Sequence, residues 1–151
     1  MKTNYIALLL FLYFPTINSL EVNITENLIL GKWMSTDGNV TVLVFKERDQ
    51  FNAKVIWFDD SDDKNKPMNT RTDQQNPDIA LRNRKIIGLE VLRNLKFNAS
   101  TNRWEKGIIY DARTGKEWNL SALLTKNGML EVKGFWHFEF ISQTMTFKKI
   151  G

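Results

Sequence analysis

The chain has 151 residues, no cysteine, one histidine, five tryptophans, and 21 Lys and Arg against 17 Asp and Glu. That length suits one domain, whose core can bury about two thirds of the surface exposed by the unfolded chain, so no metal or cross-link is needed to hold it. The missing cysteines exclude disulfide frameworks, zinc ribbons and thiol nucleophiles, the single histidine excludes a His-rich metal centre, and a net charge of +4 with acids interspersed gives no nucleic-acid footprint.

Met1 and Lys2 give a short positive start, Tyr5 to Phe14 is almost unbroken apolar sequence, and Pro15 precedes a small residue at Ser19. About ten apolar residues are too few to span a bilayer and match the core of a secretion signal. Residues 1–19 are therefore expected to be a signal peptide and 20–151 a single domain that is not an integral membrane protein. Removing 19 residues from 151 leaves 132, with 20 bases against 17 acids and all five tryptophans. A secreted chain without cysteine must draw its stability from core packing. The Asn-, Lys- and Ile-rich composition points to a bacterial periplasm. Four Asn-x-Ser/Thr triplets, at Asn23, Asn39, Asn98 and Asn119, would be glycosylation acceptors in a eukaryotic pathway and arise by chance in an Asn-rich chain.

Eight short apolar or alternating runs follow: 28–35, 39–46, 51–58, 85–97, 103–110, 116–125, 129–137 and 139–149. Phe51, Ala53, Val55 and Trp57 alternate with polar residues, as do Trp118, Leu120, Ala122 and Leu124, and Leu130, Val132 and Gly134. Period two with one apolar face means half-buried antiparallel strands. Asp37-Gly38, Thr114-Gly115 and Asn127-Gly128 supply turn residues between the runs. The expected fold is an all-β, eight-stranded, antiparallel up-and-down barrel, wide enough for one small ligand or for its own side chains. Residues 86–97 fit a helix as well as a strand bulged at Val91 and Leu92, with Gly88 as the bulge marker. Residues 59–84 form a long loop, which in a compact domain is usually functional or mobile.

Few residues suggest catalysis. His137 is the sole imidazole and no Gly-x-Ser-x-Gly elbow accompanies it. Asp59, Asp60, Asp62 and Asp63 lack the glycine and distal glutamate of a calcium loop and are followed by Lys64 and Lys66. No enzyme activity, metal or cofactor is therefore expected. Gly31-Lys32-Trp33 reads as a strand opening whose Trp plugs the closed end of a barrel, or simply as a large core residue. Arg82 and Arg84 could grip an anionic head group at the mouth, or hold Asp73 or Asp78 and fix the loop.

Three stretches carry a resemblance. Asn76-Pro-Asp-Ile-Ala-Leu-Arg-Asn-Arg-Lys-Ile-Ile-Gly-Leu-Glu-Val-Leu, Trp104-Glu-Lys-Gly-Ile-Ile-Tyr-Asp-Ala-Arg-Thr-Gly-Lys-Glu-Trp and Leu130-Glu-Val-Lys-Gly-Phe, with the opening Gly31-Lys-Trp-Met-Ser-Thr-Asp, resemble the bacterial secreted domain-of-unknown-function family 2147. Its Gly-x-Trp opening is similar to the lipocalin, or calycin, pattern. The resemblance implies a β-barrel and a periplasmic address and supplies no function. It also implies a basic side chain of the last strand packed on Trp33, a place that falls here to Lys148 or Lys149. Where some members carry paired cysteines in the long loop, this chain is Asp-rich.

The functional expectation is a barrel binding a small hydrophobic or amphiphilic molecule, lined by Val55, Trp57, Trp118, Leu120, Trp136 and Phe138, with Arg82 and Arg84 at the head group. Gly31, Trp33, Gly88, Trp104, Gly107, Gly115 and Gly134 are expected to be structural. The competing expectation is an envelope interaction module with a filled barrel and a protein or cell-wall partner.

Overall fold

The computed structural model describes residues 25–135 and 142–151. The strands are β1 Gly31–Ser35, β2 Val40–Glu47, β3 Gln50–Phe58, β4 Glu90–Asn98, β5 Arg103–Asp111, β6 Lys116–Leu124, β7 Leu130–Phe135 and β8 Ser142–Lys149. Each pairs antiparallel with its sequence neighbours, and β8 pairs back onto β1, so the sheet closes into a barrel with no free edge. No helix among the described residues is long and apolar enough to cross a membrane.

The ambiguous stretch 86–97 enters a strand at Glu90. Its pairing with β3 slips twice: Lys54 faces Glu90 while Ala53 faces Leu92, and Phe51 faces Leu95. The extra residues are Val91 and a second bulge near Asn94, whose φ is 64° and whose N–H donates to Asn52 Oδ1 at 3.2 Å. These bulges place Leu92 and Leu95, three apart, together in the core, which is why the sequence also reads as a helix. Gly88 does not mark the bulge. It lies in the turn before β4, with its N–H donating to the Val55 carbonyl at 2.8 Å.

Strand alternation sorts side chains between the inner and outer faces, and the two ends of the barrel differ in how the inner face is covered. At the closed end, a turn at Thr25–Leu30 crosses the opening and drives Ile29 into the core, beside Trp33, Phe51, Leu95 and Trp104. The two tryptophans tie this turn down: Trp33 Nε1 donates to the Ile29 carbonyl at 2.7 Å and Trp104 Nε1 to that of Glu26 at 3.2 Å. Lys149 supplies the basic partner, its Nζ 5.4 Å from the Trp33 ring centroid and 3.0 Å from the Leu28 carbonyl. Gly31 makes room for that lysine: its φ is 117°, and a Cβ there would sit 3.3 Å from Lys149 Cε. Lys46 reaches Glu26 at 2.6 Å on the same end.

Candidate functional site

At the opposite end the barrel is less filled. Register fixes which side chains share its inner face, because directly paired residues point the same way. Trp33 pairs with Val42 and Val42 with Val55, while Leu92 pairs with Ile109 and Ile109 with Trp118. Leu120 pairs with Gly107 on one side and Gly134 on the other, and Val132 with Met145. The lower residues of this face are almost wholly buried, yet Val42, Ile109 and Trp118 are only half-buried and Met145 is 39% exposed. Inward-facing apolar side chains stay accessible here, unlike those of the packed closed end.

The two inward glycines differ in what surrounds them. A Cβ on Gly107 would come within 2.8 Å of Leu95 and 3.2 Å of Leu120, so this position is packed shut. Among the described residues, a Cβ on Gly134 would meet nothing nearer than Ile109 at 3.9 Å, so it is not packed shut by them as Gly107 is.

The long loop leaves from this same open end and splits into two arms. In the first, the Asp-rich run folds on itself: Asp60 Oδ2 accepts from the Met68 N–H at 2.7 Å, Asp62 pairs with Arg71 at 2.6 Å, and Asp59 and Asp63 accept from the backbone of Ser61 and Asn65. The Arg71 guanidinium also sits 5.7 Å from the Phe58 ring. The second arm is a hairpin closed by the Thr72–Lys85 bridge and clasped to the barrel through Asp73. That carboxylate is fully buried; it accepts from Tyr110 Oη at 2.7 Å, Asn76 Nδ2 at 2.8 Å and Arg84 at 2.8 Å. Burial alone pushes its pKa up, but the three donors and the Arg84 charge outweigh that and hold it below the usual carboxylate range. Burial, and next the bond to Asp73, push the Tyr110 hydroxyl up. The β5–β6 turn closes on the same arm, since a side chain at Gly115 would strike the Gln75 carbonyl.

Of the residues singled out in the sequence, Val55, Trp118 and Leu120 share the inner face, and Trp136 and Phe138 lie outside the described residues. Trp57 does not join them. A bulge in β3 between its pairs with Thr41 and Val42 puts Trp57 opposite Thr41, on the other face from Val42 and Val55, and it is 39% exposed. Arg84 is committed to Asp73 and stacks 5.5 Å from the Tyr110 ring; Arg82 donates to the Asn76 carbonyl at 2.7 Å. Trp104 is buried, its ring 5.1 Å from that of Phe97. Sequence reasoning passed over Met145, in a β8 with few other apolar residues, and Tyr110, whose polar partner is 37 positions away.

A concavity of about 410 Å³ lies on the outer wall between Arg103, Glu105, Lys106, Asn119, Ser121 and Phe135. Glu105 there is bonded to Asn98 at 3.0 Å and Thr101 at 2.8 Å, with its pKa lowered chiefly by those two bonds.

Among solved structures, the chain is similar to one described as "Protein HP1028 from the human pathogen Helicobacter pylori belongs to the lipocalin family". The two share 22% identity and a TM-score of 0.68 over 81% of this chain and 82% of that one, which shows a common lipocalin-like fold. Among curated proteins, none matches. A family model described as "Uncharacterized protein conserved in bacteria (DUF2147)" matches residues 31–149, from the glycine that admits Lys149 to Lys149 itself. The chain therefore belongs to the DUF2147 family.

Proposed function

We propose that this protein is a secreted, periplasmic lipocalin-like barrel that takes a small hydrophobic or amphiphilic molecule into its open half. The observation that carries this reading is the accessible apolar inner face at Val42, Ile109, Trp118 and Met145, above a closed end packed with Trp33, Phe51 and Trp104. Apolar walls with few polar groups suit an apolar ligand body, whose transfer from water is favourable at about 25 cal/mol per Å². The positive start and apolar run of residues 1–14 support export. Binding, not catalysis, is the role proposed, since no Gly-x-Ser-x-Gly elbow or thiol nucleophile accompanies the one imidazole in the sequence.

Native mass spectrometry of protein isolated from its own envelope tests this. A reproducible bound mass in the range of a lipid or fatty acid is the expected result. Protein that carries no such mass and takes up no fluorescent apolar probe would point to a filled barrel acting as an envelope interaction module.

A further inference from the structure

The clasped hairpin ends in a turn that faces water with apolar side chains. Ile79, on the three-residue helical turn Ile79–Leu81, is 74% exposed and Leu81 39% exposed. The turn is held firmly: Asp78 accepts from the Ala80 N–H at 2.9 Å, the Leu81 N–H donates to the Asp78 carbonyl at 3.0 Å, and Arg82 grips the Asn76 carbonyl behind it. Single exposed hydrophobics need no explanation, but two on one rigid tip are a different matter.

Charge along the segment that leaves the turn is uneven, between Asp78 before it and Glu90 after it. From Ile79 to Leu89 the sequence holds Arg82, Arg84 and Lys85 and no carboxylate. Asp73 neutralises Arg84, and Asp78 is the acid at the edge of the turn. The bonds shown for Arg82 and Lys85 run to the carbonyls of Asn76 and Thr70, so neither charge is matched by them. Trp57 is exposed at the end of β3, from which the loop departs. A small apolar tip backed by cations, at the end of the barrel where a ligand would enter, is suited to a surface that is apolar beneath an anionic layer. It is too small for a stable protein contact, which takes about 800 Å² from each partner.

We infer that the 72–85 hairpin docks the open end of the barrel onto an anionic phospholipid bilayer. Ile79 and Leu81 enter the boundary of the acyl region while Arg82 and Lys85 meet lipid phosphates. Docking deepens the ligand-binding reading, because it sets the mouth against a store of amphiphiles, but it is measured separately from it.

The test is co-sedimentation of the whole protein with vesicles of phosphatidylcholine alone or mixed with phosphatidylglycerol. Wild type is expected to bind the mixed vesicles roughly tenfold more tightly, with the preference shrinking as salt rises. Ile79→Asp with Leu81→Asp should lose about tenfold or more on mixed vesicles, and Arg82→Gln with Lys85→Gln should lose the preference for anionic lipid. The side chains of the first pair are exposed, so its thermal unfolding should match wild type. No vesicle binding by wild type, or unchanged binding by the Asp pair, would overturn the inference; so would self-association abolished by the Asp pair without any lipid binding, which would make a second copy the occupant. Uptake of a fluorescent apolar probe in vesicle-free solution should persist in the Asp pair. Vesicle binding without probe uptake by wild type would sink the ligand reading and leave docking intact.

Discussion

Asp73 shows how one side chain can hold a long loop. A carboxylate shut away from water is costly unless its lone pairs are met, and here Tyr110, Asn76 and Arg84 meet them. Asp73→Ala leaves the Arg84 charge and Tyr110 hydroxyl without their acceptor and should cost about 3 kcal/mol in denaturant unfolding. The sign of the pH effect follows from the lowered pKa. Asp73 contributes its stability above its unfolded pKa of about 3.9, and the contribution is lost as pH falls through the folded value. Wild type should therefore lose more stability between pH 5 and strongly acid pH than Asp73→Asn, by urea titration at each pH. Gly134 is the complementary residue, a position on the inner face that the described residues leave open. Gly134→Val adds bulk where the ligand is proposed to lie and suits a strand, so unfolding should shift by less than about 1 kcal/mol. Probe uptake should weaken about tenfold or more if the space is used.

Among the elements, the two arms of the long loop contrast. Arg71 and Asp62 form a short but solvated pair, whereas Arg84 is bonded to a buried carboxylate. Arg71→Gln should change stability little, and Arg84→Gln should cost about 2–3 kcal/mol. Hydrogen exchange should show the 59–70 arm opening more readily than the clasped hairpin. Of the two arms, only the hold of Arg84 on Asp73 was among the readings of the sequence. Loop structure here rests on single polar contacts between distant residues, and no periodicity announces those. The strands were legible because alternation repeats along each of them, as in Phe51, Ala53 and Val55. Where alternation breaks, reading was harder: the bulge in β3 turned Trp57 away from the inner face, while in β4 the expected bulged strand is present, with Val91 as its extra residue, and it is Gly88 that was misplaced as the marker. The Trp33 plug was readable from its Gly-x-Trp setting, though only the structure chooses Lys149 over Lys148 as its partner.

For the molecule as a whole, a ligand that binds only the folded barrel must raise its stability. At free ligand about 100 times Kd the gain is about 2.7 kcal/mol, which for a domain of this size moves the melting midpoint by roughly 8 °C. A thermal scan with an apolar amphiphile below its micelle concentration should show that rise, and Gly134→Val should blunt it. The closed end also bears on how the chain comes to fold. Lys149 touches the turn at Leu28, 121 positions earlier, and β8 pairs with β1. Loop closure over that span is the entropic toll of barrel formation, and it falls due only once the last strand is present. A chain emerging N-terminus first thus remains an open meander of hairpins until β8 arrives. The fold is in effect timed by that strand: a chain cut before Phe147 should stay protease-sensitive, because the seam between β1 and β8 cannot form.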